Sequence, residues 1–252
     1  MVKILLHGCN GAMGQVIAGL AQKDPQVVIA AGVDLNTEQK QDFPVYASLE
    51  EVKEDVDVVV DFASAKAVDG LLDYCGKHRI PVVLCTTGLS EEQIGKVKET
   101  SVMTAVLRSA NMSLGVNLLF KLVAEAAKTL SAAGFDMEIV ERHHNQKMDA
   151  PSGTALALAD AANEAVGNTC HYVYDRSQRR EKRDPMEIGI SAVRGGSIVG
   201  EHDVIFAGTD EVITIRHTAY SKAIFGKGAL SAAVYLAGRE PGMYTMADVI
   251  GS

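Results

Sequence analysis

Strand-like and helix-like segments alternate over the first hundred residues, and this limits the folds open to the chain more than any other feature. Val2–His7 is a short β-rich run, and Met13, Val16, Ile17 and Leu20 within residues 12–22 share one helical face. Val27–Val33 and residues 56–62 are apolar and β-branched. Val68, Leu71, Leu72 and Cys75 recur at helical spacing in residues 65–77, and residues 81–85 and 104–108 read as further strands. Ser48 with Glu51, and Ser90 with Gln93, have the spacing of capping boxes and predict helix starts. Continuous apolar strands separated by helices imply a parallel sheet covered on both faces, an α/β class.

The pattern changes after Asn111. Ser113 can cap a helix running to about Leu130, residues 137–144 read as a strand and residues 154–166 as a helix. Three β-type runs follow at 187–193, 197–206 and 211–218, separated by Gly195-Gly196 and Gly208-Thr209-Asp210. This predicts a Rossmann-like parallel-sheet domain plus an α+β domain with a mixed or antiparallel sheet. The Ala-rich helix at 223–237 can return to the first domain, giving residues 1–112 with 219–252 as one domain and 113–218 as the other.

Composition excludes several classes. The 252 residues suffice for two modest cores, and 47% apolar with 22% charged residues is a soluble globular balance. A net charge of −8 argues against nucleic acid as a partner. No apolar run reaches the roughly 18 residues of a membrane span, and the apolar start is shorter than a signal-peptide core. Cys9, Cys75, Cys85 and Cys170 form no C-x-x-C pair, so free thiols in a reducing cytoplasm are expected. Residues 176–183 mix five basic side chains with Glu181; a polyanion site is open there, but mixed charge without aromatics favours a solvated loop.

Gly8-Cys9-Asn10-Gly11-Ala12-Met13-Gly14 leaves the first strand and opens the first helix. Glycines there permit a tight turn and close backbone approach to a pyrophosphate, which the free N–H groups of a helix start attract. Asp34 ends the second strand, where a carboxylate can accept hydrogen bonds from an adenosine ribose. A plain glycine turn beside a loop aspartate is the alternative. No basic residue adjoins Asp34-Leu35-Asn36, which favours NADH over NADPH, although Lys40 could reach in. Asp61-Phe62-Ala63-Ser64, Cys85-Thr86-Thr87-Gly88 and Ser109-Ala110-Asn111-Met112 also follow strands, where small residues can line a nicotinamide or simply form turns.

The densest polar cluster runs from Glu141 to Thr154 and leaves a strand to enter a helix. His143 or His144 can donate a proton near neutral pH. Lys147 can offset a carboxylate, and Ser152, Gly153 and Thr154 offer hydroxyls and helix-start amides to an anion. Paired histidines also raise a metal site, but adjacent strand residues point apart and no partner has ligand spacing, so no metal is expected.

Glu141-x-His143-His144-x-x-Lys147-x-Asp149-Ala150-Pro151-Ser152-Gly153-Thr154-Ala155 resembles the signature of the dihydrodipicolinate reductase family. The likeness extends over essentially the whole chain, through Asn111-x-Ser113-x-Gly115-Val116-Asn117, Val193-Arg194-Gly195-Gly196, Gly200-Glu201-His202 and His217-Thr218-Ala219. It implies NADH- or NADPH-dependent reduction of 4-hydroxy-tetrahydrodipicolinate in the diaminopimelate route to lysine, by a homotetramer with a cyclic dicarboxylate substrate. His143 then matches the acid/base histidine and Lys147 the assisting lysine. His144, Ser152, Gly153 and Thr154 match substrate positions. Gly8, Cys9, Asn10, Gly11, Ala12, Met13, Asp34, Cys85, Thr86, Thr87, Ser109, Ala110, Asn111 and Met112 match cofactor positions. The first domain would hold the dinucleotide, and the second would bind substrate and oligomerise. Cys85, Met112 and Leu35 depart from the commoner family residues. Another NAD-dependent dehydrogenase, or a non-catalytic NADH-binding redox sensor, is the rival function.

Overall fold

The structure, a computed structural model, describes residues 1–109 and 111–251. It divides into two compact units, Met1–Leu114 with Lys222–Ser252, and Gly115–Ser221.

The first unit begins with β1 (Val2–His7), α1 (Ala12–Ala21), β2 (Val27–Val33), β3 (Val45–Tyr46) and β4 (Val58–Asp61). It continues through α2 (Val68–His78), β5 (Val82–Leu84), α3 (Glu91–Ser101) and β6 (Ala105–Arg108). Strand residues alternate between two cores, as a period of two requires. Ile4, Leu6, Val58 and Val60 face one core with Ile17 and Ala18 of α1, whereas Leu5, Val59 and Val82 face the other with Leu71 and Leu72 of α2. Burying each such Leu or Ile contributes about 1.5–3 kcal/mol. Ser90 and Gln93 form the expected capping box. Ser48 does not: only a three-residue 3-10 turn follows, and the Glu51 carboxylate instead accepts the Ala47 N–H. Residues 65–67 likewise form a 3-10 turn before α2 begins.

The second unit contains α4 (Leu114–Ala132), which starts in the first, then β7 (Asp136–His143), α5 (Gly153–Ala165) and β8 (His171–Val173). β9 (Glu187–Arg194), β10 (Gly200–Ala207) and β11 (Val212–Ala219) follow. The sheet order is β11-β10-β7-β9-β8. It is mixed: β9 runs parallel to β7 and β8, while β10 is antiparallel to β7 and β11. The three late β runs therefore do not all pair in sequence order, because β7 lies between β9 and β10. Gly195 and Gly196 carry the chain past the end of β7, where Gly195 N donates to His143 O and Asn145 N to Gly196 O.

The basic segment at 176–183 is also not a freely solvated loop. Arg176 bridges Glu138 and Glu187, Arg179 pairs with Glu187 at 2.8 Å, and Arg183 pairs with Asp136 at 2.7 Å and Glu138 at 3.0 Å. These guanidinium groups tie the segment to β7 and β9.

The chain ends in the first unit with α6 (Ala223–Leu236), β12 (Gly242–Tyr244) and α7 (Met246–Ile250). α6 adds Ala229, Leu230, Ala233 and Leu236 to the core under α1, and β12 joins the sheet beside β6. The parallel order β12-β6-β5-β4-β1-β2-β3 contains the doubly wound arrangement of a Rossmann-like sheet, with its order reversing between β1 and β4.

Candidate active site

The loop after β1 emerges at that reversal, where α/β sheets bind ligands. Gly8 has a positive φ of 81°, and its N–H donates to Val33 O at 2.8 Å. A Cβ on Gly14 would lie 2.2 Å from Gly8 O, so only glycine lets α1 start this close to the loop. Gly11 is the N-cap of α1 without a side-chain cap, and the first turn carries no acid. That leaves backbone N–H groups at the helix start for an anion. The cradle fits a dinucleotide pyrophosphate. Gly11 and Ala12 are exposed, Asn10 and Met13 are half-buried, and Cys9 is buried. Burial, and then the Asp34 charge, push the Cys9 thiol up to about 11, so it is neutral.

Asp34 braces this loop. Its Oδ2 accepts the Asn10 N–H at 2.9 Å and its Oδ1 the Asn36 N–H at 3.0 Å. Asn10 Nδ2 in turn donates to Asn36 O and Glu38 O. Leu35 is 99% exposed beside it, and Lys40 lies 3.4 Å from Glu38. Deeper in the sheet, buried Asp61 joins three strand ends: Oδ1 meets His7 Nδ1 at 2.7 Å, and Oδ2 accepts from Thr86 Oγ at 2.6 Å. Thr86 is half-buried and Thr87 exposed after β5, while burial raises the Cys85 thiol well above its ordinary value. Ser109 Oγ donates to Asn111 O, and Asn111 Oδ1 accepts from Ser113 N. Met112 is only 4% exposed and packs in the α1–α6 core, which leaves its backbone, not its thioether, for any ligand. Ala110 lies outside the described residues.

In the second unit, burial alternates along β7 so that Met137, Ile139, Glu141 and His143 all face inward. The first two pack in the core, and the last two carry the row into a polar pocket. Glu141 Oε2 meets His143 Nδ1 at 2.6 Å, and Arg194 donates to both Glu141 oxygens at 2.7 Å. The Ser152 N–H adds a bond to Oε1 at 2.9 Å. Burial would raise the Glu141 carboxyl, but Arg194, His143 and Ser152 together hold it below its usual range.

His202 of β10 pairs with Glu141 in register, and His217 of β11 pairs with His202. The His202 and His143 rings meet edge to face at 5.2 Å. Burial, then repulsion from His143, depress the His202 pKa to about 4, and burial also lowers that of His217. Nδ1 of each is buried without a hydrogen-bond partner among the described residues. Ser152 is 2% exposed: its hydroxyl meets His202 Nε2 at 2.9 Å and, as N-cap of α5, accepts the Ala155 N–H at 3.1 Å. Its hydroxyl is therefore committed inside the protein. Lys147 Nζ pairs with Asp149 Oδ1 at 2.8 Å, and that ammonium, with the Gly153 N–H adding to it, keeps the Asp149 carboxyl low. His144 and Thr154 are half-buried at the rim, with Gly153 exposed.

The structure thus brings His143, Lys147 and residues 152–154 around one helix start, and gathers the glycine loop, Asp34 and the β5 end at one edge of the first sheet. Glu141, Arg194, His202 and His217 appear in the sequence only as motif residues without roles. An acidic residue in the inward phase of β7 is a readable signal for Glu141; the partners come from strands whose register no local pattern reveals. Among the described residues, no cluster of three or more His, Cys, Asp or Glu side chains could hold a metal ion.

Comparison with known proteins places these features in a family. Residues 2–112 match the dihydrodipicolinate reductase N-terminus and residues 115–250 its C-terminus. The chain is 56% identical over 250 residues to the 4-hydroxy-tetrahydrodipicolinate reductase of Caldanaerobacter subterraneus subsp. tengcongensis, covering 99% of this chain and 98% of the relative. It is 45% identical over 252 residues to that of Clostridium tetani, covering 100% and 98%. A dipicolinate-bound dihydrodipicolinate reductase from Paenisporosarcina sp. TG-14 shares the fold with a TM-score of 0.79 at 24% identity, over 97% of both chains. The chain belongs to the dihydrodipicolinate reductase family.

Proposed function

We propose that the chain reduces 4-hydroxy-tetrahydrodipicolinate to tetrahydrodipicolinate with NADH or NADPH, in the diaminopimelate route to lysine. The observation that carries this reading is that Glu141 ties His143 to the start of α5, with Lys147 in the loop between them: an imidazole proton donor beside helix-start amides and an ammonium.

The first unit holds the dinucleotide. The Gly8–Met13 loop cradles the pyrophosphate, with the Ala12 and Met13 amides at the α1 start aimed at it while those of Gly8, Cys9, Asn10 and Gly11 hold the loop itself; Asp34 takes the adenosine ribose, and Cys85 to Thr87 with Ser109, Asn111 and the Met112 backbone the nicotinamide end. When bound, the reduced nicotinamide supplies a hydride. The second unit binds substrate. Lys147, His144 and the amides of Gly153 and Thr154 hold carboxylates, which lowers the cost of placing a dianion there. Protonated His143 delivers a proton to the substrate carbon, a role typically worth 10²–10⁴-fold. Ser152 acts through the α5 cap and His202.

NADH is the preferred cofactor. The Asp34 carboxylate repels a 2′-phosphate, Leu35 offers it no charge, and Lys40 is already beside Glu38. The working form is a cytoplasmic homotetramer. Exposed Val193, Val212 and Ile213 on β9 and β11 support assembly through the second unit, and four free cysteines suit a reducing compartment. Among the described residues no helix is long and apolar enough to cross a membrane.

The test mixes aspartate semialdehyde, pyruvate and a condensing synthase with the protein and follows NADH and NADPH oxidation separately. Synthase-dependent oxidation is expected, faster with NADH. Oxidation of neither overturns the function, and faster NADPH oxidation overturns the preference. Light scattering tests the tetramer.

A further inference from the structure

We propose that Glu141, gripped by Arg194, is a positioning residue that fixes the tautomer of His143 and thereby commits its transferable proton to Nε2. The inference rests on reading His143 as the proton donor.

Glu141 is fully buried, and its carboxylate accepts four bonds. His143 Nδ1 and Arg194 Nη1 share Oε2, while Arg194 Nη2 and Ser152 N share Oε1. An ionised carboxylate has no hydrogen to give, so the short contact to Nδ1 requires the hydrogen on the imidazole. Nε2 is then the nitrogen that gains and loses a proton. Gly200 keeps that edge of the ring clear, because a Cβ there would sit 3.1 Å from Nε2.

Arg194 is itself immobilised. Its Nη1 also donates to Val193 O, and its Nη2 to Asp149 O at 2.6 Å. It stands opposite His143 in the β7–β9 pairing, so the ladder that holds the two strands also sets the distance between fork and carboxylate. Two parallel guanidinium bonds orient a carboxylate more sharply than one ammonium can. The remaining polar groups around this network are His202 of β10, whose ring meets His143 edge to face, His217 paired with it on β11, Ser152 bonded to His202 and Glu141 at the α5 start, and the Lys147–Asp149 pair of the connecting loop. Among the described residues, Glu141 is the group bonded to Nδ1.

Ring-nitrogen NMR of isotope-labelled histidine, with His143 assigned by comparison with His143→Gln, tests the wild-type protein directly. Neutral His143 is expected in the Nδ1–H form with Nε2 bare; the Nε2–H form overturns the proposal. Glu141→Gln supplies the second measurement. Arg194 Nη2 and Ser152 N hold the amide oxygen, so the new NH₂ faces Nδ1 and reverses the tautomer. The kcat is expected to fall on the order of 10²-fold or more. KM should stay within about twofold, because the interaction lost acts in turnover more than in binding. Glu141→Asp keeps a carboxylate and should recover part of the loss. Wild-type turnover in Glu141→Gln also overturns the proposal. If His143→Gln retains full turnover while the wild-type tautomer is as expected, the proton-donor reading fails and the positioning stands.

Discussion

The cofactor-side loop and the polar pocket of the second unit are built from different materials. Residues 8–14 are organised by main-chain shape: glycine at 14 permits a contact that any Cβ would block, and the helix start carries no side-chain cap. The pocket around His143 acts through side chains held by side chains, with Glu141, Arg194, Ser152 and His202 in one network. A backbone site is broken by adding bulk and tolerates changes in exposed side chains. A side-chain network is broken by swapping a single polar atom, because each buried partner then loses its match.

The sharpest way to break this contrast is His143→Gln. Turnover should fall by about 10²–10⁴-fold with KM nearly unchanged, measured by steady-state kinetics. A large rise in KM at constant kcat would instead make His143 a binding group.

Lowering the pH tests the same network through stability. His202 is held neutral by burial, with its pKa lowered to about 4, whereas in the unfolded chain it titrates near 6.5. The unfolded state therefore binds more protons between these values, and stability falls as pH drops from about 6.5 to 4. The loss is on the order of 3 kcal/mol. Urea midpoints across that window should show it, and His202→Gln should flatten the slope. Below this range the depressed Glu141 and Asp203 carboxyls add further loss as they protonate.

Gly14→Val probes the backbone site. Its Cβ must push Gly8 O away, and NADH affinity should weaken by roughly tenfold or more, measured by fluorescence titration. Unchanged affinity would mean the loop does not need its present shape. Two smaller effects sharpen the comparison. Leu35→Arg should move the NADPH/NADH ratio of kcat/KM upward about three- to tenfold by adding charge where a 2′-phosphate would lie. Asp149→Asn frees Lys147 and the Gly153 N–H from an internal carboxylate, and should lower substrate KM about two- to fivefold; a rise would show that Asp149 holds the turn in its binding shape.

The two regions also differ in how much of them the sequence displays. β1 and β2 are legible to the residue, because runs rich in Val, Ile, Leu and Ala end at a glycine turn and at Asp34. The glycine loop is readable for the same reason, since its function lies in consecutive residues. β3, β8 and β12 span two or three residues, too few for a period of two to register, and they form because neighbouring strands offer free edges. The 3-10 turn after Ser48 shows the same weakness of short signals. In the pocket, Lys147 and residues 152–154 are contiguous and legible. Arg194 lies 53 residues beyond Glu141 and meets it only through the insertion of β7 between β9 and β10, a pairing that turn residues did not disclose.

The inward row of β7 has a consequence for the chain's tolerance of insertions. Hydrocarbon anchoring at Met137 and Ile139 and the hydrogen-bonded Glu141–His143 pair occupy successive places on one ribbon edge. Slipping that ribbon by a single position would send Arg142 and His144 inward and turn both halves out together. Lengthening β7 upstream therefore cannot move the polar pair while sparing the fold; whatever displaces the imidazole also evicts the grease beneath it.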